Sequence, residues 1–271
     1  MKWLYLVPKK TMSFVMGKIA HIRWPKAFNT WLILKFAEFY KINLEESEFE
    51  VSKYVSLGDF FVRHLKASAR PLGVTWALHP ADSELTQLGR ITQGRIVYAK
   101  DRGYSLQDFL RDSRAHEKFA VGQFLTYYLC PADYHRVHSP VDGEITRVVH
   151  VPGHLWPVNA WAVEHIDSLF AVNERVVLEI KTDRGPVAVV FVGATNVGSI
   201  EITALPELKT NTFLQSSAVR EYEIKTAIPV RKGEELGLFR MGSTVVVVYP
   251  QVVLGSEPLP KKVKVRASID Q

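Results

Sequence analysis

The sequence predicts an α+β protein in which N-terminal helices are followed by a β-rich core. Two patterns predict this class. Apolar residues recur at helical spacing before about residue 58, most clearly over 28–44. From about residue 77 the chain turns to short β-branched runs bounded by glycine, proline or aspartate. With 271 residues, 47% of them hydrophobic, the chain is long enough to bury a core of its own.

The N-terminal helices carry the excess positive charge. Residues 1–41 hold eight lysines and arginines against one acid, Glu38, while the whole chain has a net charge of +6. Aromatic residues such as Trp31 and Phe36 lie among these bases, a combination typical of segments that bind an anionic surface. A helix packed on the protein's own core would give the same spacing, and no nucleic-acid-binding motif follows.

The sequence also limits how this segment can meet a membrane. No apolar run reaches the roughly 18 residues needed to span a bilayer, and the run after Met1 is too short for a signal-peptide core. We therefore expect residues 1–58 to lie on the cytoplasmic face of a membrane and residues 59–271 to form a separate β-rich domain.

Local signals place the remaining elements. Ser56 and Asp59 are candidate caps of a helix that begins near residue 57. Strands are predicted at 95–100, 143–149, 175–180, 187–192 and 244–249, helices around 106–119 and 160–170, and an edge strand at 261–265. Residues 139–145 and 230–237 are similar to the paired halves of a lipoyl-type barrel-sandwich hybrid, but no modifiable lysine stands at a hairpin tip. A carrier or binding protein of that type is the alternative to an enzyme.

A Gly-Ser-Thr triplet stands immediately before the last apolar strand. Ser243 is well placed to attack the carbonyl of the preceding peptide bond, because Gly242 has no Cβ to obstruct the approach. A simple turn into a strand would explain the triplet by itself. To act as a nucleophile, a serine hydroxyl needs a base within hydrogen-bond reach.

Two of the nine histidines, His135 and His138, lie in a dense motif and are the candidate bases. Others, such as His79 and His150, have bland loop or surface surroundings. Prolines on both sides favour an extended segment, which separates the two rings and suits two distinct roles better than one shared metal. No third ligand stands at metal spacing, so no metal is expected, and two hydrogen-bonded structural histidines are the remaining alternative. The single cysteine, Cys130, excludes an intrachain disulfide and is interpreted as a buried, inert thiol.

Taken in order, these motifs resemble the phosphatidylserine decarboxylases, pyruvoyl enzymes that cut themselves to make their own cofactor. The resemblance runs from about residue 60 to residue 250. It rests on Pro-Ala-Asp at 80–82, Asp-Tyr-His-Arg-Val-His at 133–138, Gly-Ala-Thr-Asn-Val-Gly-Ser-Ile at 193–200 and Gly-Ser-Thr at 242–244. Met241 replaces the family's usual leucine and Ser83 a frequent glycine, and neither change removes a reacting group.

The resemblance implies that the chain is cut between Gly242 and Ser243. The products 1–242 and 243–271 would form a heterodimer, and Ser243 would become a covalent pyruvoyl cofactor. His138 would be the base for cutting, with Asp82 to orient it, and His135 would donate a proton or orient a group in decarboxylation. The residues alone do not favour this aspartate over the others nearby.

The implied substrate is phosphatidylserine, which would form a Schiff base with the pyruvoyl group and lose CO2 to give phosphatidylethanolamine. Arg63 and Arg136 are candidates to bind its phosphate. The partners would be an anionic membrane surface and no nucleic acid, with a homo-oligomer left open. A serine hydrolase using Ser243, His138 and Asp82 on an external ester is disfavoured because no G-x-S-x-G elbow is present.

Overall fold

The computed structural model describes residues 9–99, 102–195, 199–208, 210–211, 218–240 and 242–269. Its helices are α1 (Lys9–Ala20), α2 (Lys26–Tyr40), α3 (Leu57–Phe61), α4 (Leu106–Leu110), α5 (Ala115–Lys118), α6 (Ala160–His165) and α7 (Leu169–Val172), with 3-10 turns at Leu44–Glu46, Val51–Lys53 and Ala67–Ala69. Its strands are β1 (Ser83–Arg90), β2 (Arg95–Ala99), β3 (Arg102–Ser105), β4 (Gln123–Leu129), β5 (Arg136–His138), β6 (Gly143–Val151), β7 (Arg175–Thr182), β8 (Gly185–Val192), β9 (Ile200–Ile202), β10 (Arg220–Tyr222), β11 (Ile228–Val230), β12 (Glu235–Phe239), β13 (Ser243–Tyr249) and β14 (Lys261–Val263).

A nine-stranded antiparallel sheet dominates the described structure. Its order is β10-β6-β7-β8-β13-β4-β1-β14, and β11 also pairs with β6. Strand β13 lies in the middle, hydrogen-bonded to β8 on one side and to β4 on the other. Its four consecutive valines, 245–248, are fully buried, which explains an apolar run without alternation, since both faces of the strand are covered.

A smaller sheet, β5-β12-β9, carries the histidine motif beside the strand that leads toward Ser243. The segments 139–145 and 230–237 do come together: β11 pairs with β6, and Ser139 N–H donates to the Glu234 carbonyl at 2.7 Å. The described strands form no closed barrel, so the similarity to a barrel-sandwich hybrid is limited to this local pairing.

The N-terminal helices pack on a cluster of their own. Ile33 and Ala37 of α2 face Tyr54 and Phe60, and all four are buried. The opposite side of α2 and its approach leave apolar side chains exposed: Trp24, Phe28, Trp31, Leu34 and Phe39. Among the described residues, no helix is long and apolar enough to cross a membrane. The division at residues 58 and 59 falls inside α3 and stays a prediction.

The predicted α+β class is confirmed, and the β-branched strands lie where expected. Ser56 caps α3 by accepting from Asp59 N–H at 3.1 Å, while the Asp59 carboxylate accepts from Val55 N–H at 3.1 Å. The two predicted core helices are each a pair of short ones. Arg111 (φ 52°) ends α4 and Ser168 (φ 54°) precedes α7, both in the left-handed region, so neither helix continues.

Candidate active site

The chain enters the middle of the large sheet at the predicted cleavage point. Ser243 is the first residue of β13, opposite Leu129 of β4. Its side chain and Met241 lie outside the described part of the structure. Gly242 is half-buried, and a β-carbon built there would meet no atom within 4 Å apart from its neighbours in the chain. Packing therefore does not demand glycine at 242, and its role in self-attack stays a prediction.

The motifs converge on β12, the strand that precedes this point. Glu235 pairs with His138, and Phe239 N–H donates to the His135 carbonyl at 3.0 Å. On its other edge β12 pairs with β9, the end of the glycine-rich motif. The Pro-Ala-Asp motif joins through its own backbone, because His138 N–H donates to the Pro80 carbonyl at 2.8 Å. Motifs far apart in sequence thus surround one short strand.

His138 is held as a neutral base. Its Nδ1 donates to the Gly233 carbonyl at 2.8 Å, which fixes the tautomer because a carbonyl oxygen can only accept. Its Nε2 then accepts from the Tyr134 hydroxyl at 3.2 Å. Burial lowers the pKa of the ring. Both side chains line a cavity of about 390 Å³, whose other lining residues include His64, Arg70, Glu235 and Arg266.

His135 is more deeply buried, with no exposed surface. Its Nδ1 donates to the Asp133 carbonyl at 2.8 Å, so Nε2 carries a lone pair, and no described residue makes a hydrogen bond to this nitrogen. The Phe61 ring packs on the imidazole with centroids 4.0 Å apart. Burial lowers the pKa of His135 to about 3. At neutral pH Nε2 can therefore accept a hydrogen bond and has no proton to donate.

Asp82 lies in a different set of contacts. Its carboxylate accepts from Arg70 Nε at 2.9 and 3.1 Å, from Val265 N–H at 2.9 Å and from Lys264 Nζ at 3.4 Å. Burial disfavours the charged carboxylate, but the Arg70 guanidinium outweighs this and holds its pKa below the usual value. Both ring nitrogens of His138 have other partners, so the structure links Asp82 to His138 through the backbone of residues 80–82. Its predicted orienting role is not tested by these contacts.

The remaining candidates from the sequence are Arg136, Cys130 and the glycine-rich motif. The Arg136 guanidinium is occupied by Glu235 and by the Val62 carbonyl. Cys130 is half-buried with a pKa raised by burial, in line with an inert thiol. In the glycine-rich motif, Thr195 donates to the Leu155 carbonyl at 2.6 Å, and residues 196–198 lie outside the described structure. No group of three or more metal-ligating side chains occurs within the described ranges.

Sequence reasoning missed the partners of both histidines. Phe61, Tyr134 and Gly233 set the ring positions, yet the first and last are 74 and 95 residues from the histidines that they contact. Tyr134 alone had a signal, its place inside the Asp-Tyr-His motif. Sequence reasoning also placed His79 and His150 in surface or loop surroundings, and this is wrong, because both are buried.

The described structure is a β-rich protein whose large antiparallel sheet is accompanied by two buried histidines, which lie beside the strand that leads to a Gly-Ser bond. The family model for phosphatidylserine decarboxylase matches residues 57–269, and the chain belongs to that family. The predicted enzyme class, a carboxy-lyase, is confirmed with the family, and a barrel-sandwich carrier is not favoured.

Curated relatives extend the similarity over nearly the whole chain. A phosphatidylserine decarboxylase proenzyme of Pseudomonas putida is 43% identical over 268 residues, covering 94% of this chain and 90% of the relative. The proenzyme of Myxococcus xanthus is 38% identical over 269 residues, covering 98% and 95%. That of Methylobacillus flagellatus is 40% identical over 256 residues, covering 92% and 89%.

Proposed function

We propose that this chain is the precursor of a phosphatidylserine decarboxylase that cuts itself at Gly242–Ser243 and uses the resulting pyruvoyl group. The observation that carries the proposal is the convergence of the family's motifs on β12, which leads into the Gly-Ser bond. The naming of the relatives as proenzymes supports a processed precursor.

For cutting, the serine hydroxyl must lose a proton as its oxygen attacks the Gly242 carbonyl carbon. His138 Nε2 is the proposed acceptor, and Tyr134 now occupies that nitrogen. The hydroxyl of Tyr134 must either move aside or pass the proton on. His138 returns the proton to the Ser243 nitrogen as the C–N bond breaks, which leaves an ester. Elimination then removes the α-hydrogen of Ser243 as a proton and frees the Gly242 carboxylate. Hydrolysis of the resulting dehydroalanine gives pyruvoyl and ammonia.

The sheet suits a cofactor formed at the first residue of a strand. Strand β13 is hydrogen-bonded along both edges, and β14 pairs with β1, so both strands of residues 243–271 remain bound to the large chain after cutting. Asp82 adds a contact across the two products, since it binds Arg70 of one and Val265 of the other. The heterodimer therefore needs no new interface. A homo-oligomer stays a prediction.

The pyruvoyl group supplies an electron sink for the pair left at the substrate Cα when CO2 departs. His135 is the proposed proton carrier for this step. Its Nε2 is unprotonated and is proposed to accept a hydrogen bond from the substrate ammonium. The proton that the substrate nitrogen gives up as it forms its new bond passes along the hydrogen bond and goes on to Cα, so His135 ends the cycle neutral.

We also propose that the N-terminal helices bind an anionic membrane surface from the cytoplasmic side. The support is the charge of residues 1–41 together with the exposed aromatic residues on α2 and its approach. A surface-bound enzyme reaches a headgroup carboxylate without entering the bilayer.

The intact mass of the purified protein under denaturing conditions tests the proposed function. The precursor has a mass of 30.7 kDa, and we expect two chains ending and beginning at the 242–243 bond, the smaller one blocked to Edman degradation. Ser243→Ala should stay a single chain and release no CO2 from phosphatidylserine. Ser256→Ala, an exposed serine of the same small chain, is the matched control and should be cut normally.

The two histidines should separate in the same assay. We expect His138→Gln to block cutting, and His135→Gln to be cut but to release CO2 at a small fraction of the normal rate. An active wild-type preparation with an intact serine at 243 would overturn the proposal. Normal cutting and activity in both histidine variants would overturn the assigned roles.

A further inference from the structure

Arg63 carries unpaired donors in a buried position. The residue lies just after the end of α3 and is 5% exposed. Nη2 donates to the Ala132 carbonyl at 3.3 Å, whereas Nε and Nη1 have no hydrogen-bond partner among the residues that the structure describes. The Phe60 ring lies 5.0 Å from the guanidinium carbon and shields it further. A charged group left unpaired in the interior is costly, and this cost indicates that an anion binds there.

The protein's own acids do not fill this need. The two carboxylates whose charges act on Arg63 belong to Asp82 and Glu46. Arg70 donates to both of them, and Asp82 also accepts from Val265 and Lys264. No described acid is therefore left over for the two Arg63 nitrogens, and an external anion is the partner that we consider.

A second buried and unpaired group stands on the same short segment. His135 Nε2 has a lone pair and no donor, and its ring is anchored at Asp133 and Phe61. Arg63 is anchored one residue earlier, at Ala132. The two side chains anchored at residues 132 and 133 thus offer two cationic N–H donors, Nε and Nη1 of Arg63, and one neutral acceptor, Nε2 of His135. A ligand with an anion and an ammonium group on neighbouring atoms complements this set.

We propose that Arg63 binds the phosphodiester of the lipid headgroup while His135 Nε2 faces its amino group. This inference rests on the proposed function and assigns its phosphate subsite. The headgroup also offers a carboxylate, but pairing a guanidinium with it would stabilise the charge that must leave as CO2 and would raise the barrier. The phosphodiester keeps its charge throughout, so binding it assists substrate and transition state equally.

The structure around Arg63 bears on how the headgroup would reach it and on why Arg63 is chosen over Arg136. The 390 Å³ cavity that holds His138 is lined by His64, the residue after Arg63, and not by Arg63 or His135 themselves, so a headgroup in this cavity would have to reach Arg63 past His64. Arg136, the other candidate from the sequence, already binds Glu235 through Nη1 and the Val62 carbonyl through Nε. Only Arg63 of this pair has two buried donors without a partner.

The test compares two soluble headgroup fragments as inhibitors of the processed, full-length enzyme acting on glycerophosphoserine. Glycerophosphoethanolamine has the phosphodiester and no carboxylate, whereas ethanolamine lacks both. We expect the wild type to bind the first at least tenfold more tightly. In Arg63→Gln this preference should disappear, and the KM for glycerophosphoserine should rise about tenfold with kcat changed less than threefold. Arg63→Lys should restore part of the preference.

Cutting, measured by intact mass, and thermal stability show whether each variant is folded, and Arg90→Gln, an exposed arginine, is the control. If Arg63→Gln does not fold, Arg63→Lys and the wild-type preference decide. Equal binding of the two fragments by the wild type would overturn the proposal. So would an unchanged preference in the folded variants, a rise in kcat, which would indicate a role at the carboxylate, or a fall in kcat alone, which would indicate a role in the chemical step. A wild type that is neither cut nor active would instead overturn the proposed function.

Discussion

The central sheet and the N-terminal helices differ in the exposure of their aromatic side chains. Phe191 of β8 and Phe239 of β12 are fully buried, with their rings 5.2 Å apart. Phe39 and Trp31 of α2 are 78% and 52% exposed. The aromatic rings of the sheet are part of its hydrophobic core, whereas those on the outer face of α2 remain exposed. Contiguous exposed apolar surface of this kind marks an interaction site rather than a folding requirement.

The largest expected difference between the two regions is in folding stability. Phe191→Ala should lower the free energy of unfolding by about 3–5 kcal/mol, because it leaves a cavity in a filled core. Phe39→Ala should change it by less than about 0.5 kcal/mol. Urea unfolding of both variants in the uncut Ser243→Ala background, where the chain remains one molecule, gives the comparison. Similar losses would show that the outer face of α2 is part of the core.

Acid should destabilise the sheet region next. Burial keeps His135 and His79 neutral by lowering their pKa values to about 3 and about 4. The unfolded chain binds protons below about pH 6.5, so stability is complete above that pH and falls as the pH drops toward the folded values. Between pH 6.5 and 5 each histidine should cost up to about 2 kcal/mol. Asp82, whose pKa is lowered, loses its contribution only below about pH 3.8.

Unfolding midpoints measured from pH 7.5 to 5 should therefore decline. His79→Gln lies outside the proposed reaction and should flatten part of the curve. A flat profile in the wild type would contradict the neutral state of the buried rings.

Sequence patterns predicted the strands that contain runs of β-branched residues. They missed strands of other composition, namely β4 and β1. Strand β4 reads Gln-Phe-Leu-Thr-Tyr-Tyr-Leu and was missed, because a strand covered on both faces shows no alternation and this one has no valine or isoleucine. Strand β1 was missed for the opposite reason, its polar composition. The left-handed residues Arg111 and Ser168 are not glycines, so the breaks in the two helices carried no signal.

The site shows the same limit. Motif order identified the family and its candidate site residues, including His135 and His138. It did not predict that a carbonyl at Gly233 and a hydroxyl at Tyr134 hold one ring, or that Asp82 binds Arg70, because those contacts depend on tertiary pairing. The unpaired donors of Arg63 are likewise visible only once burial and partners are known.

The smallest effect on the fold, and the sharpest test of the comparison, is the response to a membrane. Trp31 lies on the exposed side of α2, with Phe28 beside it at 5.5 Å between ring centroids. Trp31→Glu should leave folding and cutting unchanged yet weaken binding to anionic liposomes about tenfold or more, because burying a large apolar side chain contributes roughly 1.5–3 kcal/mol. The control is Trp161→Glu, a tryptophan of α6 that is 40% exposed in the β-rich region.

Salt separates the two contributions to this binding. Each basic residue near an anionic surface adds about 1 kcal/mol, screened over roughly 8–10 Å at physiological ionic strength. The insertion of aromatic rings is not screened. Flotation of the full chain should therefore weaken in high salt without being lost, while Trp31→Glu should bind poorly even in low salt. Equal binding by the Trp31→Glu and Trp161→Glu variants would show that the exposed face of α2 does not bind the membrane. The difference between the sheet and the helices would then be one of packing alone.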